Sequence, residues 1–264
     1  MGGMKRMKRT IKAGQTTERY KFWAPVQAKP RGRRLQRCTP RAQDANEHTA
    51  EKRVTRLINC NFSHRDAMLG LSYDKAHYAA LLAQAGGDPG KAKEIAEKDV
   101  KKFLERYKYH AKKAGIRMSV YFCVVSDMDG DTGELVNNHA HLLVKAGYVR
   151  MDGGHLYIGE KDLEELWGKG SINHKSLWDE PDFGALARYL MRQVRRVPDK
   201  AKYIAARGLK KPVIIDEEDD GGGRLRVPKG ARILEQRYNE ADGTEYIRYV
   251  MPERDKTGKG RRRE

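Results

Sequence analysis

The sequence predicts an α+β protein in which helices flank an antiparallel sheet. Two observations carry that expectation. Ala96, Val100, Phe103, Leu104, Tyr107, Ala111 and Ala114 recur at helical spacing up to Gly115. After that helix, two apolar runs, Met118 to Val125 and Asn138 to Lys145, flank the turn-forming Asp129-Gly130-Asp131-Thr132-Gly133, so they read as neighbouring strands of one hairpin.

In chain order, residues 1–41 hold 13 Lys and Arg against a single acid, Glu18, and Pro25, Pro30 and Pro40 interrupt any periodicity. The segment 1–52 is therefore expected to be a basic, poorly ordered arm able to lie along phosphates. Val54 to Ile58 and Ala67 to Tyr73 alternate as strands do. Gly86-Gly87-Asp88-Pro89-Gly90 breaks the chain before the long helix, whose opposite face is filled by solvated lysines. Glu160 to Trp167 is a short amphipathic helix, with Leu163, Leu166 and Trp167 on its core side. A further helix runs from Asp182 to Arg196, closed by Pro198. The acidic run Asp216 to Asp220 passes into Gly221 to Gly223 and reads as a flexible linker. Ala231 to Tyr238 and Thr244 to Val250 alternate around Ala241-Asp242-Gly243 as a C-terminal β-hairpin. The organisation expected is an arm at 1–52, a main domain at 53–215, a linker and hairpin at 216–252 and a basic tail at 253–264.

Composition narrows the function classes. The 264 residues carry a formal charge of +18, with 54 Lys and Arg against 36 Asp and Glu, which favours a polyanionic partner, nucleic acid before an acidic membrane surface. No apolar stretch approaches the roughly 20 residues that span a bilayer, and no apolar core follows the basic residues at the start, so a secretion signal is not expected. Three widely spaced cysteines, Cys38, Cys60 and Cys123, give neither a disulfide framework nor a Cys-x-x-Cys zinc pair. A reducing cytoplasm is the compartment expected.

His139-Ala140-His141 is the motif with the most chemistry in it. Residues two apart on a strand leave the same face, and two neutral imidazoles can share a divalent ion. On the helix at 182–196, Phe183, Leu186, Ala187, Leu190 and Val194 form the buried stripe at 100° per residue. Tyr189 falls off that stripe, on the face of Arg192, Gln193 and Arg196, as a surface tyrosine or as a phenol held among guanidinium groups that bind phosphate and favour its ionisation. A phenol titrates near pH 10 and is a weak nucleophile at neutral pH. To attack a phosphodiester it needs a positioned phosphate, an electrophilic metal and local positive charge. His139 and His141 can supply the metal site, Arg192 and Arg196 the charge. The product would be a 5′-phosphotyrosine with a free 3′ hydroxyl. For a third ligand, Asp127 at the end of the neighbouring strand comes first, Gln193 second and Glu134 third. Nitrogen with oxygen ligands suits an exchangeable Mn²⁺ or Mg²⁺.

These residues resemble the HUH endonuclease superfamily, named for two histidines around a hydrophobic residue, and within it the rolling-circle replication initiators of phages and plasmids. The resemblance covers about residues 54–250. It takes in Asn59-Cys60-Asn61-Phe62, Leu69-Gly70-Leu71-Ser72-Tyr73, the histidine strand, Asp162 to Trp167 and, most clearly, Asp182-Phe183-Gly184-Ala185-Leu186-Ala187-Arg188-Tyr189-Leu190. It implies an RRM/ferredoxin-like central antiparallel sheet carrying the histidines, with the helix of the nucleophile Tyr189 across it. It also implies nicking of single-stranded DNA at an origin, with a host helicase and polymerase as partners. No Gly-x-x-x-x-Gly-Lys-Ser/Thr phosphate loop is present that would supply a motor. The chain departs from the family in having Arg192 where lysine is common, and Asp127 where the acidic ligand is commonly glutamate. Two other readings stand beside the initiator. Tyr189-Leu190-Met191-Arg192-Gln193 fits the tyrosine-x-x-x-glutamine pattern of single-tyrosine HUH transposases. A non-catalytic RRM-like nucleic-acid-binding module is the other; conjugative relaxases usually place the tyrosine before the histidines and fit less well.

Overall fold

The structure, a computed structural model, describes residues 3–26, 40–148, 159–177, 181–195, 201–219 and 223–251. Its elements in chain order begin with β1 (Met4–Ala13), β2 (Thr16–Pro25), α1 (Pro40–Asn61) and β3 (Ala67–Ser72). Next come α2 (Lys75–Ala85), α3 (Pro89–Lys113), β4 (Tyr121–Met128) and β5 (Leu135–Val144). Then follow α4 (Glu160–Trp167), β6 (Ile172–Ser176), α5 (Gly184–Arg192) and β7 (Ile204–Ala205). The last three strands are β8 (Val213–Glu218), β9 (Arg232–Tyr238) and β10 (Glu245–Val250). The fold is α+β, with two five-stranded antiparallel sheets. Its contacts form two units, Asn61–Lys210 and the pair of segments Met1–Cys60 with Lys211–Glu264. Among the described residues no helix is long and apolar enough to cross a membrane.

In the Asn61–Lys210 unit the strand order is β6-β3-β5-β4-β7. The hairpin of β4 and β5 forms as its sequence predicts. Alternation along β5 then divides the sheet into two faces. Ala140, Leu142 and Val144 point to the side where Leu69, Leu71, Cys123 and Val125 meet Val100, Phe103, Leu104 and Tyr107 of α3 in one core. His139 and His141 point to the other. α3 holds its place because Asp88 caps its first turn, accepting from the Gly90 and Lys91 amides. Trp167 of α4 closes the core edge-on to Phe103, ring centroids 5.9 Å apart, and its indole N–H donates to the Ser72 carbonyl.

The other unit revises three expectations. Residues 4–25, expected as a disordered arm, form the hairpin β1–β2, paired from Met4 with Pro25 to Ala13 with Thr16. The acidic run expected as a linker is largely strand β8, paired with β1 so that Lys8 faces Glu217 and Arg9 faces Asp216. Arg9 grips Asp216 with two bonds, 2.6 and 2.7 Å long, and Asp219 is buried against Lys8, Arg6 and Lys21 at 2.7, 3.2 and 3.2 Å. The expected C-terminal hairpin is present as β9–β10, and it joins the same sheet, in the order β8-β1-β2-β10-β9. Val54 to Ile58, expected as a strand, belongs to α1, where Val54, Thr55, Ile58 and Asn59 are buried at helical spacing. Arg56 on this helix makes a bidentate pair with Glu18, 2.7 Å to each oxygen. The helix α2 was not expected. The basic tail at 253–264 lies outside the described residues.

Because Phe103 is fully buried and in ring contact with both Tyr107 and Trp167, Phe103→Ala should cost about 3–5 kcal/mol of unfolding free energy. Denaturant titration measures this as a lower midpoint.

Candidate active site

The two histidines sit on the central strand because β5 is paired on both sides. Register puts Ser72 and Ser126 opposite His139, and Gly70 and Val124 opposite His141. The imidazole rings are perpendicular, with centroids 5.0 Å apart. Nδ1–H of His139 donates to the Asn137 carbonyl at 2.9 Å. That bond leaves Nε2 of the neutral ring with a lone pair.

Both Nε2 atoms point at one oxygen. Gln193 Oε1 stands 3.3 Å from His139 Nε2 and 3.0 Å from His141 Nε2. Gln193 ends α5 and is buried. Its backbone carbonyl accepts the amides of Asp127 and Met128, each at 3.1 Å, which fixes the end of the helix over the end of β4. The turn between β4 and β5 closes on the same spot: a Cβ on Gly130 would stand 3.4 Å from Arg192 Cβ and 3.5 Å from Gln193 Cγ.

Asp127, the first choice for the third ligand, does a different job. Its Oδ1 accepts from Lys93 Nζ at 3.0 Å and from the Arg195 amide at 2.9 Å, and Oδ2 lies 3.5 Å from Arg195 Nε. Asp127 and Lys93 are both buried. The carboxylate therefore ties α3, β4 and the end of α5 together, while the oxygen beside the imidazoles is the amide oxygen of Gln193. Glu134 is exposed in the turn, its carbonyl accepting the Asp129 amide at 2.8 Å. Among the described residues no three of His, Cys, Asp and Glu gather as a metal site; the group that does gather has an amide as its third member.

Tyr189 lies one helical turn before Gln193, half exposed, with its ring centroid 5.5 Å from that of His141. Arg192 is exposed beside it on the last turn of α5, and Arg196 lies outside the described residues. The helix is shorter than the expected 182–196, ending at Arg192 with Gln193 as its cap. One cation was not anticipated. The register of β6 on β3, with Met68 opposite Lys175 and Asn173 opposite Gly70, sets Lys175 on the histidine face. Only the pairing of β6 reveals this, since five residues give too little periodicity to place a strand.

Burial, with the neighbouring His139 adding to it, pushes the His141 imidazole down to about 4. His141 is thus neutral across the physiological range. The residues fit a divalent ion. Two donors on one ion, each about 2.1 Å from it at 90–110°, stand about 3.0–3.4 Å apart, as the two imidazole nitrogens do from the Gln193 oxygen. His141 Nδ1, buried, has no hydrogen-bond partner among the described residues.

Comparison with family models, with curated proteins and with solved structures finds no match. The site's meaning rests on its own geometry.

Two outcomes test that geometry. Asp127→Ala leaves Lys93 buried without its partner and should destabilise the protein by about 3–5 kcal/mol. Lys93→Met with Asp127→Asn keeps an acceptor for the Arg195 amide and should retain Mn²⁺ binding by titration calorimetry, whereas Gln193→Ala should weaken it at least about tenfold. The metal-free protein should also lose stability as pH falls from 6.5 toward 4. In that window the unfolded chain takes up a proton at residue 141 and the folded chain does not; above 6.5 the contribution is complete. His141→Asn should flatten that slope in denaturation curves measured at pH 7 and pH 4.5.

Proposed function

We propose that the Asn61–Lys210 unit is an HUH-type, RRM-like endonuclease domain. It nicks single-stranded DNA through Tyr189 and forms a 5′-phosphotyrosine and a free 3′ hydroxyl, as an initiator of rolling-circle replication does. The observation that carries this reading is the meeting of His139 Nε2, His141 Nε2 and Gln193 Oε1 within 3.3 Å, beside the exposed ring of Tyr189.

In this mechanism His139, His141 and Gln193 would hold a Mn²⁺ or Mg²⁺ ion, which would supply Lewis-acid stabilisation of charge on the scissile phosphate. Arg192 and Lys175 flank the site and attract the phosphate, and Arg196 is assigned the same part from its place after α5. The Tyr189 phenol loses its proton to solvent as its oxygen bonds to phosphorus; the 3′ oxygen leaves with the bonding pair and takes up a proton. Phosphodiester energy is kept in the new ester, so the reverse attack rejoins strands. The perpendicular imidazoles and the carbonyl bond to His139 Nδ1 hold the ligands oriented before substrate arrives. Arg192 is given the part of binding phosphate through its planar guanidinium.

A second reading has its own support. Gln193, and not Asp127, is the group that meets the histidines, and it stands four residues after Tyr189. That is the tyrosine-x-x-x-glutamine pattern of single-tyrosine HUH transposases, in which glutamine completes the metal site.

Incubation with labelled single-stranded DNA and Mn²⁺ should give a covalent adduct stable to boiling in detergent. Tyr189→Phe and chelation of the metal should each abolish it, while DNA binding by Tyr189→Phe survives. An adduct formed by the phenylalanine variant removes Tyr189 from the chemistry, and absence of any adduct across single-stranded origin libraries leaves a nucleic-acid-binding module.

A further inference from the structure

The positive charge of this chain is concentrated outside the unit that holds Tyr189. Of the 54 Lys and Arg, 29 fall in Met1–Cys60 and Lys211–Glu264, against 16 of the 36 acids, so 13 of the 18 surplus charges lie there. Among the described residues, part of that charge is answered within the unit. Lys5 pairs with Glu218, Arg9 with Asp216, and Arg6, Lys8 and Lys21 with Asp219, while Arg56 pairs with Glu18. The hairpin that reads as the basic element of the sequence thus has few charges to offer a partner.

The segment that follows β8 is different. Arg224, Arg226 and Lys229 are exposed, and none has a carboxylate partner among the described residues. They stand on a built rib. Leu225 is buried with Ile247 and Tyr249, and Val227 and Ala231 pack on the same cluster, so alternation turns Arg224 and Arg226 outward. The rib is also pinned by hydrogen bonds. The Leu225 amide donates to Glu245 at 2.7 Å, Arg19 to the Arg226 carbonyl at 2.6 Å, and Lys21 to the Gly223 carbonyl. The Arg224 guanidinium lies 3.8 Å over the ring of Tyr238, itself exposed on the edge strand β9. Fixed cations beside a guanidinium-stacked aromatic are the elements of a surface for single-stranded nucleic acid, with phosphates on the cations and bases against the planar groups.

We infer that Arg224, Arg226, Lys229 and Tyr238 form a second, metal-independent binding surface for the backbone of single-stranded DNA. The inference rests on the proposed function only in naming DNA as the polyanion. It is tested in the full-length Tyr189→Phe protein without divalent metal, using anisotropy of a labelled oligothymidylate across a sodium chloride series. Arg224→Ala/Arg226→Ala/Lys229→Ala should lower affinity at least about tenfold at low salt and reduce the log–log salt slope by about 2, the release expected for three single-strand phosphate contacts. Lys101→Ala/Lys102→Ala/Lys112→Ala removes equal charge from the exposed side of α3 and should leave the slope unchanged. An unchanged slope in the first variant, an equal loss in both, or a loss confined to duplex DNA overturns the inference. A reduced slope in a protein whose wild type forms no adduct keeps this surface and rejects the nickase; an adduct with an unchanged slope does the reverse.

Discussion

One buried carboxylate sets the geometry of the candidate site. Asp127 ends β4, Lys93 comes from the second turn of α3, and Arg195 follows α5; three elements distant in sequence meet on it. Around the same residue the backbone closes the arrangement in both directions. Asp127 accepts the Arg195 amide and donates its own to the Gln193 carbonyl. An apolar pair could fill the volume and stabilise as much, because taking two charges out of water offsets most of their attraction. An apolar pair would not specify direction. Hydrogen bonds to both sides of residue 194 hold the Gln193 side chain toward the imidazoles, and a rotation at that point would carry its oxygen out of reach of both nitrogens.

The Asn61–Lys210 unit was legible where burial is one-sided or complete over a long run. α3 shows its stripe over 25 residues, and β4 and β5 flank turn chemistry that leaves few other pairings. The histidine pair was legible because period two is enough to put two side chains on one face. Which of Asp127 and Gln193 stands beside the imidazoles was not. It depends on a lysine 34 residues upstream that claims the carboxylate, and no local pattern marks Lys93 as different from the solvated lysines around it. Alternation misled at Val54 to Ile58, where Val54 and Ile58 satisfy both a strand and an i, i+4 helical spacing. The buried Thr55 and Asn59 decide for the helix.

The unit of residues 1–60 and 211–264 was legible only at its C-terminal hairpin, for a physical reason. β1 finds its partner β8 about 200 residues away, and β2 pairs with β10 across a similar distance. Neither segment has enough apolar residues to announce a buried face. Their pairing is written in charge: lysine and arginine on β1 stand opposite aspartate and glutamate on β8, where like charges would repel. Two segments that separately look like a disordered arm and a disordered linker are complementary halves of one ladder.

That complementarity changes what the net charge of the chain means. A surplus of 18 charges suggests a polyanion binder, but a lysine facing a carboxylate across a strand pair presents little field to solvent, and what reaches a phosphate is the unpaired remainder. β8 also leaves an edge of the sheet exposed, with Val213, Ile214 and Ile215 accessible on it. An edge strand with three adjacent exposed aliphatics is a template for pairing with another chain. Of the acidic residues that follow, Asp216, Glu218 and Asp219 pair with cations of the β1–β2 hairpin. Those three carboxylates mask part of the charge of the hairpin. Arg224, Arg226 and Lys229, on the segment anchored by Leu225, are exposed cations that this ladder does not mask.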